Sequence, residues 1–394
     1  MTDILILGAG YAGLRAAKIL AKKKLNANIT LINRNDYHYE TTALASIAAG
    51  TLKTNKVVLP LPANLPAGIH FKQATVTKID RPNQQVLLAD EAPLHYDYLI
   101  VALGLVSEDY GVPGAKEYAM PIVSLDTALA VKQHVEKQFQ NYQKSQDPDD
   151  LKIIVCGAWF SALEYLGALA ARLPKLAAHY NIPLDQISVQ CIEAKDNILP
   201  MFDDQLTNYV KDWLAKHHIV LRTGTPIKEV QANAVITDEQ TYTANTIIWT
   251  TGVSGSPVIS ASGLENRRNR VMVTDELCLE DDKSVFLIGD VAAVRMPGKP
   301  FPYPATGQIA FQMGVCAANN IAADLNHEPR KDFEFNDLGT VLALGDRDGV
   351  AKVFGEHKLH GYLASALKRV IDDRSLIEQS GLKAMFAHGR FDFL

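Results

Sequence analysis

Ile4-Leu5-Ile6-Leu7-Gly8-Ala9-Gly10-Tyr11-Ala12-Gly13 decides the fold. Its first four residues are a continuous apolar run, the pattern of a strand buried on both faces. The glycines follow at once in the spacing G-x-G-x-x-G, and Leu14, Ala17, Ile19 and Leu20 then recur with a helical period. Ile29-Thr30-Leu31-Ile32 is a second strand, ending at Asn33, about twenty residues beyond the last glycine. Strand, glycine turn, helix and strand make a βαβ unit of the kind that holds a dinucleotide. Gly8 permits the tight turn, Gly10 admits a pyrophosphate close to the backbone, and Gly13 lets helix pack on strand. The phosphates then sit at the positive end of the helix. Asn33 stands where an acid usually meets a ribose, and its amide can both donate to and accept from a hydroxyl. Arg34 beside it leaves a 2′-phosphate ligand open.

The same plan returns in the middle of the chain. Lys152-Ile153-Ile154-Val155 is a strand, Gly157-Ala158-Trp159-Phe160-Ser161-Ala162 a turn, and Glu164 to Leu173 a helix. An insertion around Pro174–Pro183 precedes the strand Ile187–Cys191, which ends near Glu193. Here Trp159 takes the second-glycine place and Ala162 the third. A carboxylate at Glu193 suits a ribose diol and repels a 2′-phosphate, which points to NADH over its phosphorylated form. Glu164 lies three residues after Ser161, the spacing of a helix capping box. The polar stretch Gln143–Asp150 reads as the linker into this second unit. Three more strands end in glycine, at Gly104, Gly252 and Gly289-Asp290, each a place where backbone can approach a ligand. Beyond the break at Phe301-Pro302-Tyr303-Pro304, a helix is expected from about Gln308 to Leu325, with Gln308 and Gln312 on one face. The tail shows strand signals around Val341 and Val353. A helix then follows, with Leu363, Leu367, Val370 and Ile371 expected on one face.

Composition narrows the function. The 394 residues carry 39 basic and 44 acidic side chains, a net charge of −5, which disfavours nucleic-acid binding. Cys156, Cys191, Cys278 and Cys316 are widely spaced and form no C-x-x-C pair, which disfavours a disulfide scaffold or a cysteine zinc site and fits a reducing cytoplasm. No HExxH, GxSxG or P-loop is present. The paired His217-His218 and His357/His360 lack carboxylate or cysteine partners at ligand spacing, so no metal site is expected. The uncharged stretches 244–264 and 300–323 contain proline and many polar residues and do not read as membrane spans.

Several stretches together resemble the type II NADH:quinone oxidoreductases, within the pyridine nucleotide-disulfide oxidoreductase-like flavoproteins. They are Asp36–Thr42 with Ala48-Ala49-Gly50, Glu164-Tyr165-Leu166-Gly167, Ile198–Phe202, Ile248–Val253, Val285–Asp290 and Tyr303–Gln312. The resemblance spans nearly the whole chain. It implies FAD as cofactor on the first βαβ unit, with Thr42 and Gly104 beside it and Asp290 on the ribityl chain. It also implies that Thr306-Gly307-Gln308 meets the isoalloxazine. It implies NADH as substrate on the second unit, through Gly157, Glu193 and Gly252, and Glu164 as a proton relay or orienting group. Gln308 and Gln312 match the family's quinone motif. Trp159 for a glycine, Gly307 for an alanine, and Ala45-Ser46 for a His-Glu pair depart from the family pattern, and the tail is more charged. Relatives that reduce disulfides, peroxides or sulfide use redox cysteines, and Thr41–Ser46 has none.

The expected architecture is α/β: two Rossmann-like nucleotide-binding domains plus a smaller C-terminal domain with an amphipathic helix. Residues 1–115 and 258–330 would bind FAD, 116–257 would bind NAD(H), and 331–394 would dock on a membrane or form a homodimer. The expected protein is cytoplasmic, peripheral on the inner face of the cell membrane. Two alternatives stay open: a soluble NADH reductase with another acceptor, and a flavin-binding protein whose NADH site is impaired by Trp159.

Overall fold

The two glycine turns head two parallel sheets in the computed structural model, which describes residues 1–353 and 355–389. In chain order the strands used below are β1 (Thr2–Leu7), β2 (Ala27–Asn33), β3 (Ile69–Gln73), β4 (Tyr98–Val101), β5 (Met120–Pro121), β6 (Lys152–Cys156), β7 (Ser188–Ile192), β8 (Ile219–Arg222), β9 (Thr246–Trp249), β10 (Val285–Leu287), β11 (Gly339–Ala343), β12 (Gly349–Val353) and β13 (His357–His360). The helices are α1 (Tyr11–Lys23), α2 (Leu44–Ala49), α3 (Leu125–Ser145), α4 (Phe160–Tyr180), α5 (Asp204–Lys216), α6 (Gly307–Leu325) and α7 (Tyr362–His388). The chain divides into two compact units. The first holds Met1–Tyr39, Val58–Val106 and Ser254–Asn336; the second holds Glu40–Val57, Ser107–Val253 and the chain from Asp337.

In the first unit the strand order is β10-β4-β1-β2-β3, all parallel. Ile4, Ile6 and Leu7 lose all contact with water, as do Leu31, Ile32, Leu99–Val101 and Val285–Leu287. Each such side chain contributes about 1.5–3 kcal/mol by leaving water, which is why the apolar runs read so clearly as central strands. α6 crosses α1 so closely that a Cβ on Gly314 would stand 2.4 Å from the Ala12 carbonyl oxygen.

The second unit repeats the order as β5-β9-β6-β7-β8, again all parallel. α4 differs from expectation at both ends. It begins at Phe160 with Trp159 as N-cap and no side-chain cap, so Ser161 lies inside the first turn and the Ser161–Glu164 capping box does not form. The Gly157 turn fixes the start of the helix, just as Gly8 makes Gly10 the N-cap of α1. α4 also runs through Pro174 to Tyr180 rather than ending at Leu173. An interior proline costs about 3 kcal/mol. Leu176 and Ala177 beyond it extend the buried face of Leu163, Leu166 and Leu169, and their burial offsets that cost.

The tail belongs to this second unit. β11, β12 and β13 form an antiparallel sheet, and α4 meets the turn after β11 so tightly that a Cβ on Gly167 would stand 2.6 Å from the Gly345 nitrogen. α7 covers the sheet with Ala364 and Leu367 and is interrupted at Gly381, whose φ of 82° is left-handed. The expected stripe is thus divided. Leu367 packs inward, while Leu363, Val370 and Ile371 face water together with Ile377, Leu382 and Phe386. Among the described residues no helix is long and apolar enough to cross a membrane.

Candidate active site

Parallel strands in register bring their C-terminal ends to one edge, the edge where open α/β sheets take ligands. In the first unit that edge carries Gly8, Asn33, Gly104 and Gly289. Gly8 has φ +99°, and a Cβ there would meet the Ala102 carbonyl oxygen at 2.3 Å; a Cβ on Gly13 would meet the Gly8 oxygen at 2.0 Å. Gly10 is different. Its φ is −73° and ψ −169°, ordinary extended backbone, and a Cβ there would meet nothing within 4 Å. Gly8 and Gly13 are therefore glycine for the fold, and Gly10 is glycine for the space in front of α1. That helix start has no side-chain cap and no acid in its first turn, so its backbone N–H groups are left for an anion.

Two side chains lock this turn. Asn33 Oδ1 accepts the Ala9 N–H at 3.0 Å, and Asn33 Nδ2 donates to the Asn35 carbonyl at 2.8 Å. His38, absent from the sequence-based candidates, lies with Nδ1 2.7 Å from the Ala9 carbonyl oxygen and its ring edge-on to Tyr11. A histidine five residues past a strand end carries no spacing signal, so only the fold reveals it. Arg34 points to solvent beside them. Gly104, with φ +69° and open space at its Cβ position, accepts the Ser256 N–H at 3.1 Å.

Gly289 sits where a Cβ would touch both Ala12 and Ala310, at 3.4 and 3.6 Å, so Asp290 stands beside the starts of α1 and α6. Burial pushes the Asp290 carboxyl above the usual carboxylate range, and Arg270 pulls it back in part. Arg270, a second residue the sequence did not single out, is half-buried and donates to the carbonyls of Ala292, at 2.8 Å, and Tyr303, at 2.9 Å. α6 opens with Thr306 as N-cap, its hydroxyl accepting the Ile309 N–H at 3.3 Å. Gly307 and Gln308 form its first turn, half-buried. Gln312, one turn on, is committed elsewhere: its Nε2 donates to the Asn336 carbonyl and its Oε1 accepts the Asn336 N–H, both at 2.9 Å.

The second unit repeats the backbone hydrogen bonds of the turn. Gly157, φ +96°, passes within 2.8 Å of Thr251 Cα at its Cβ position. The Gly157 N–H donates to Ile192 as that of Gly8 does to Ile32, and Leu163 bonds Trp159 as Leu14 bonds Gly10. Glu193 takes the part of Asn33. It is buried, accepting the Ala158 N–H at 2.8 Å and the Lys195 N–H at 3.0 Å. At Gly252 a Cβ would stand 2.2 Å from Tyr110 Oη, the end of an exposed side chain. Glu164, on α4, faces the Lys368 ammonium at 3.9 Å, and Lys368 also meets Asp372 at 2.8 Å. Lys368 is therefore turned inward, with its side chain 14% exposed. Thr42 lies in the exposed turn Thr41–Ala43 of this unit.

Known proteins share this arrangement. The pyridine nucleotide-disulphide oxidoreductase family model matches residues 2–314. The type II NADH:quinone oxidoreductases of Staphylococcus saprophyticus and Staphylococcus aureus are 37% and 38% identical to the chain, in each case over 98% of it and 98% of the relative. Among solved structures, NDH2 from Plasmodium falciparum in complex with NADH superposes with a TM-score of 0.87 at 17% identity, covering 98% of this chain and 97% of that one. The sulfide:quinone oxidoreductase of Aquifex aeolicus gives 0.79 at 21% identity, covering 100% and 94%. Extent and identity of these matches place the chain in the type II NADH:quinone oxidoreductase family, within the pyridine nucleotide-disulphide oxidoreductases.

Proposed function

We propose that the protein oxidises NADH and reduces a membrane quinone with FAD as its cofactor. The observation that carries the cofactor assignment is the space at Gly10. Backbone geometry does not require glycine there, yet a Cβ would enter an open region facing the uncapped start of α1. A pyrophosphate fits that region, held by the α1 N–H groups. Asp290 fits a polyol hydroxyl, and Thr306–Gln308 would offer the positive end of α6 to a ring that gains negative charge. FAD, when bound, supplies the hydride and electron chemistry that no side chain here provides. Asn33 and His38 fix the turn that holds the cofactor. Gly157 and Glu193 hold the adenosine half of NADH. Glu164, paired with Lys368, is the carboxylate placed to hold or move a proton.

Gln308 is the quinone-side residue in this reading, while Gln312 supports it by fastening the chain after α6. The exposed apolar row Leu363, Val370, Ile371, Ile377, Leu382 and Phe386 docks the protein peripherally on a lipid surface. The test is steady-state turnover. Purified protein with bound FAD should oxidise NADH with a lipid quinone in liposomes faster than with a soluble dye. Turnover with the dye alone would move the assignment to a soluble reductase.

A further inference from the structure

Trp159 occupies a backbone position whose counterpart in the other unit is Gly10. The two share φ and ψ, −94° and −177° against −73° and −169°, and the flanking hydrogen bonds match. At Gly10 the Cβ direction opens into the ligand space. The Trp159 side chain leaves the backbone in that same direction, from the uncapped start of α4. Its half-buried ring lies under the Lys195 ammonium, 5.6 Å from the ring centroid. Lys195 is exposed and follows Glu193 by two residues, and Glu193 holds the backbone of both sides, Ala158 and Lys195. The indole therefore spans from the glycine turn to the end of β7. Those are the two places that a dinucleotide's pyrophosphate and adenosine ribose must reach.

We infer that Trp159 and Lys195 form a latch across the NADH site, which the pyrophosphate opens by taking Lys195 as its counter-ion and displacing the indole. This deepens the NADH assignment and rests on it. Charge decides the direction of exchange. A cation over an exposed indole is held by about two- to fivefold in equilibrium constant, and a phosphate-bearing ligand competes for the same ammonium with a formal negative charge. Lys195 thus acts twice, closing the latch without ligand and attracting the ligand once the indole has left. The two residues are specificity-determining: a ligand lacking the pyrophosphate, such as adenosine, has nothing with which to release Lys195.

The test is a double-mutant cycle on the oxidised holoenzyme, with NAD⁺ as a non-reducing probe and calorimetry as the readout. Trp159→Gly should tighten NAD⁺ binding. Lys195→Ala should weaken binding several-fold in the Trp159→Gly background and much less in the native background, because there it also frees the latch. Indole emission should change on NAD⁺ addition in the native protein, and that part of the signal should vanish in Trp159→Phe. Additive effects of the two substitutions, with NAD⁺ still binding, overturn the latch and leave the NADH assignment standing. Absence of NAD⁺ binding in every variant, Trp159→Gly included, overturns both.

Discussion

Replacing Gly10 with valine puts a branched side chain at the N-cap of α1, where φ is −73° and ψ −169°. Valine adopts that extended conformation without strain, and its Cβ meets nothing within 4 Å. The apoprotein should therefore fold, losing no more than about 1 kcal/mol from a poorer N-cap. Cofactor binding should suffer far more. The isopropyl group fills the region facing the α1 N–H groups, and hydrogen bonds to a charged phosphate are worth about 1.5–3 kcal/mol each. Loss of one or two predicts FAD affinity lower by roughly tenfold to several-thousandfold. Gly13→Ala is the contrast, since its Cβ would lie 2.0 Å from the Gly8 carbonyl oxygen and the turn itself must break. The assay pairs far-ultraviolet circular dichroism with titration of FAD by flavin fluorescence. Folded, colourless Gly10→Val and poorly folded Gly13→Ala are expected. A yellow Gly10→Val with native FAD affinity would refute the placement of the pyrophosphate at this turn.

Gln312→Ala should lower the melting temperature by about 1–2 °C, since it removes two hydrogen bonds to the Asn336 backbone worth about 1 kcal/mol together on a partly exposed site. Gln308→Ala should raise the quinone KM at an unchanged NADH KM, and Gln312→Ala should not; the reverse pattern would exchange their roles. Asp290 gives a pH signature: its carboxyl titrates above the ordinary carboxylate range when folded, so FAD-free protein should lose stability as pH rises through that interval. Asp290→Asn should flatten that slope in thermal melts at a series of pH values while weakening FAD binding, and an unchanged slope would remove Asp290 as its source. Leu363→Asp with Val370→Asp, at positions 65% and 51% exposed, should abolish liposome binding without changing the melting temperature. This is a cleaner probe than cutting the tail before Gly361, because α7 also covers β11–β13; unchanged liposome binding would favour a self-association surface instead.

The fold was legible wherever burial and backbone geometry act on the same residues. Ile4–Leu7 and Gly8–Gly13 announce strand, turn and helix together, and Lys152–Gly157 does so again. Ser161 and Glu164 have capping-box spacing, but the Gly157 turn fixes the N-cap of α4 two residues earlier. Proline rules are local, whereas the burial of Leu176 and Ala177 that carries α4 past Pro174 is tertiary. The site was legible in its glycines and less so in its polar residues. Asn33 and Glu193 were found by position, but their grip on Ala9 and Ala158 was not. His38 and Arg270 act through carbonyls distant in sequence, which no spacing encodes. The helical stripe fixes a face of α7, not which neighbour covers it, so Leu367 packs inward while Leu363, Val370 and Ile371 face water.

Anaerobic mixing of the purified holoenzyme with NADH, followed in the visible flavin band and then by addition of a quinone, addresses the central claim most directly. The account predicts that the yellow colour bleaches on NADH and returns on quinone, at rates fast enough for steady-state turnover. A flavin band that stays yellow in excess NADH, in the native protein and in Trp159→Gly alike, would contradict it.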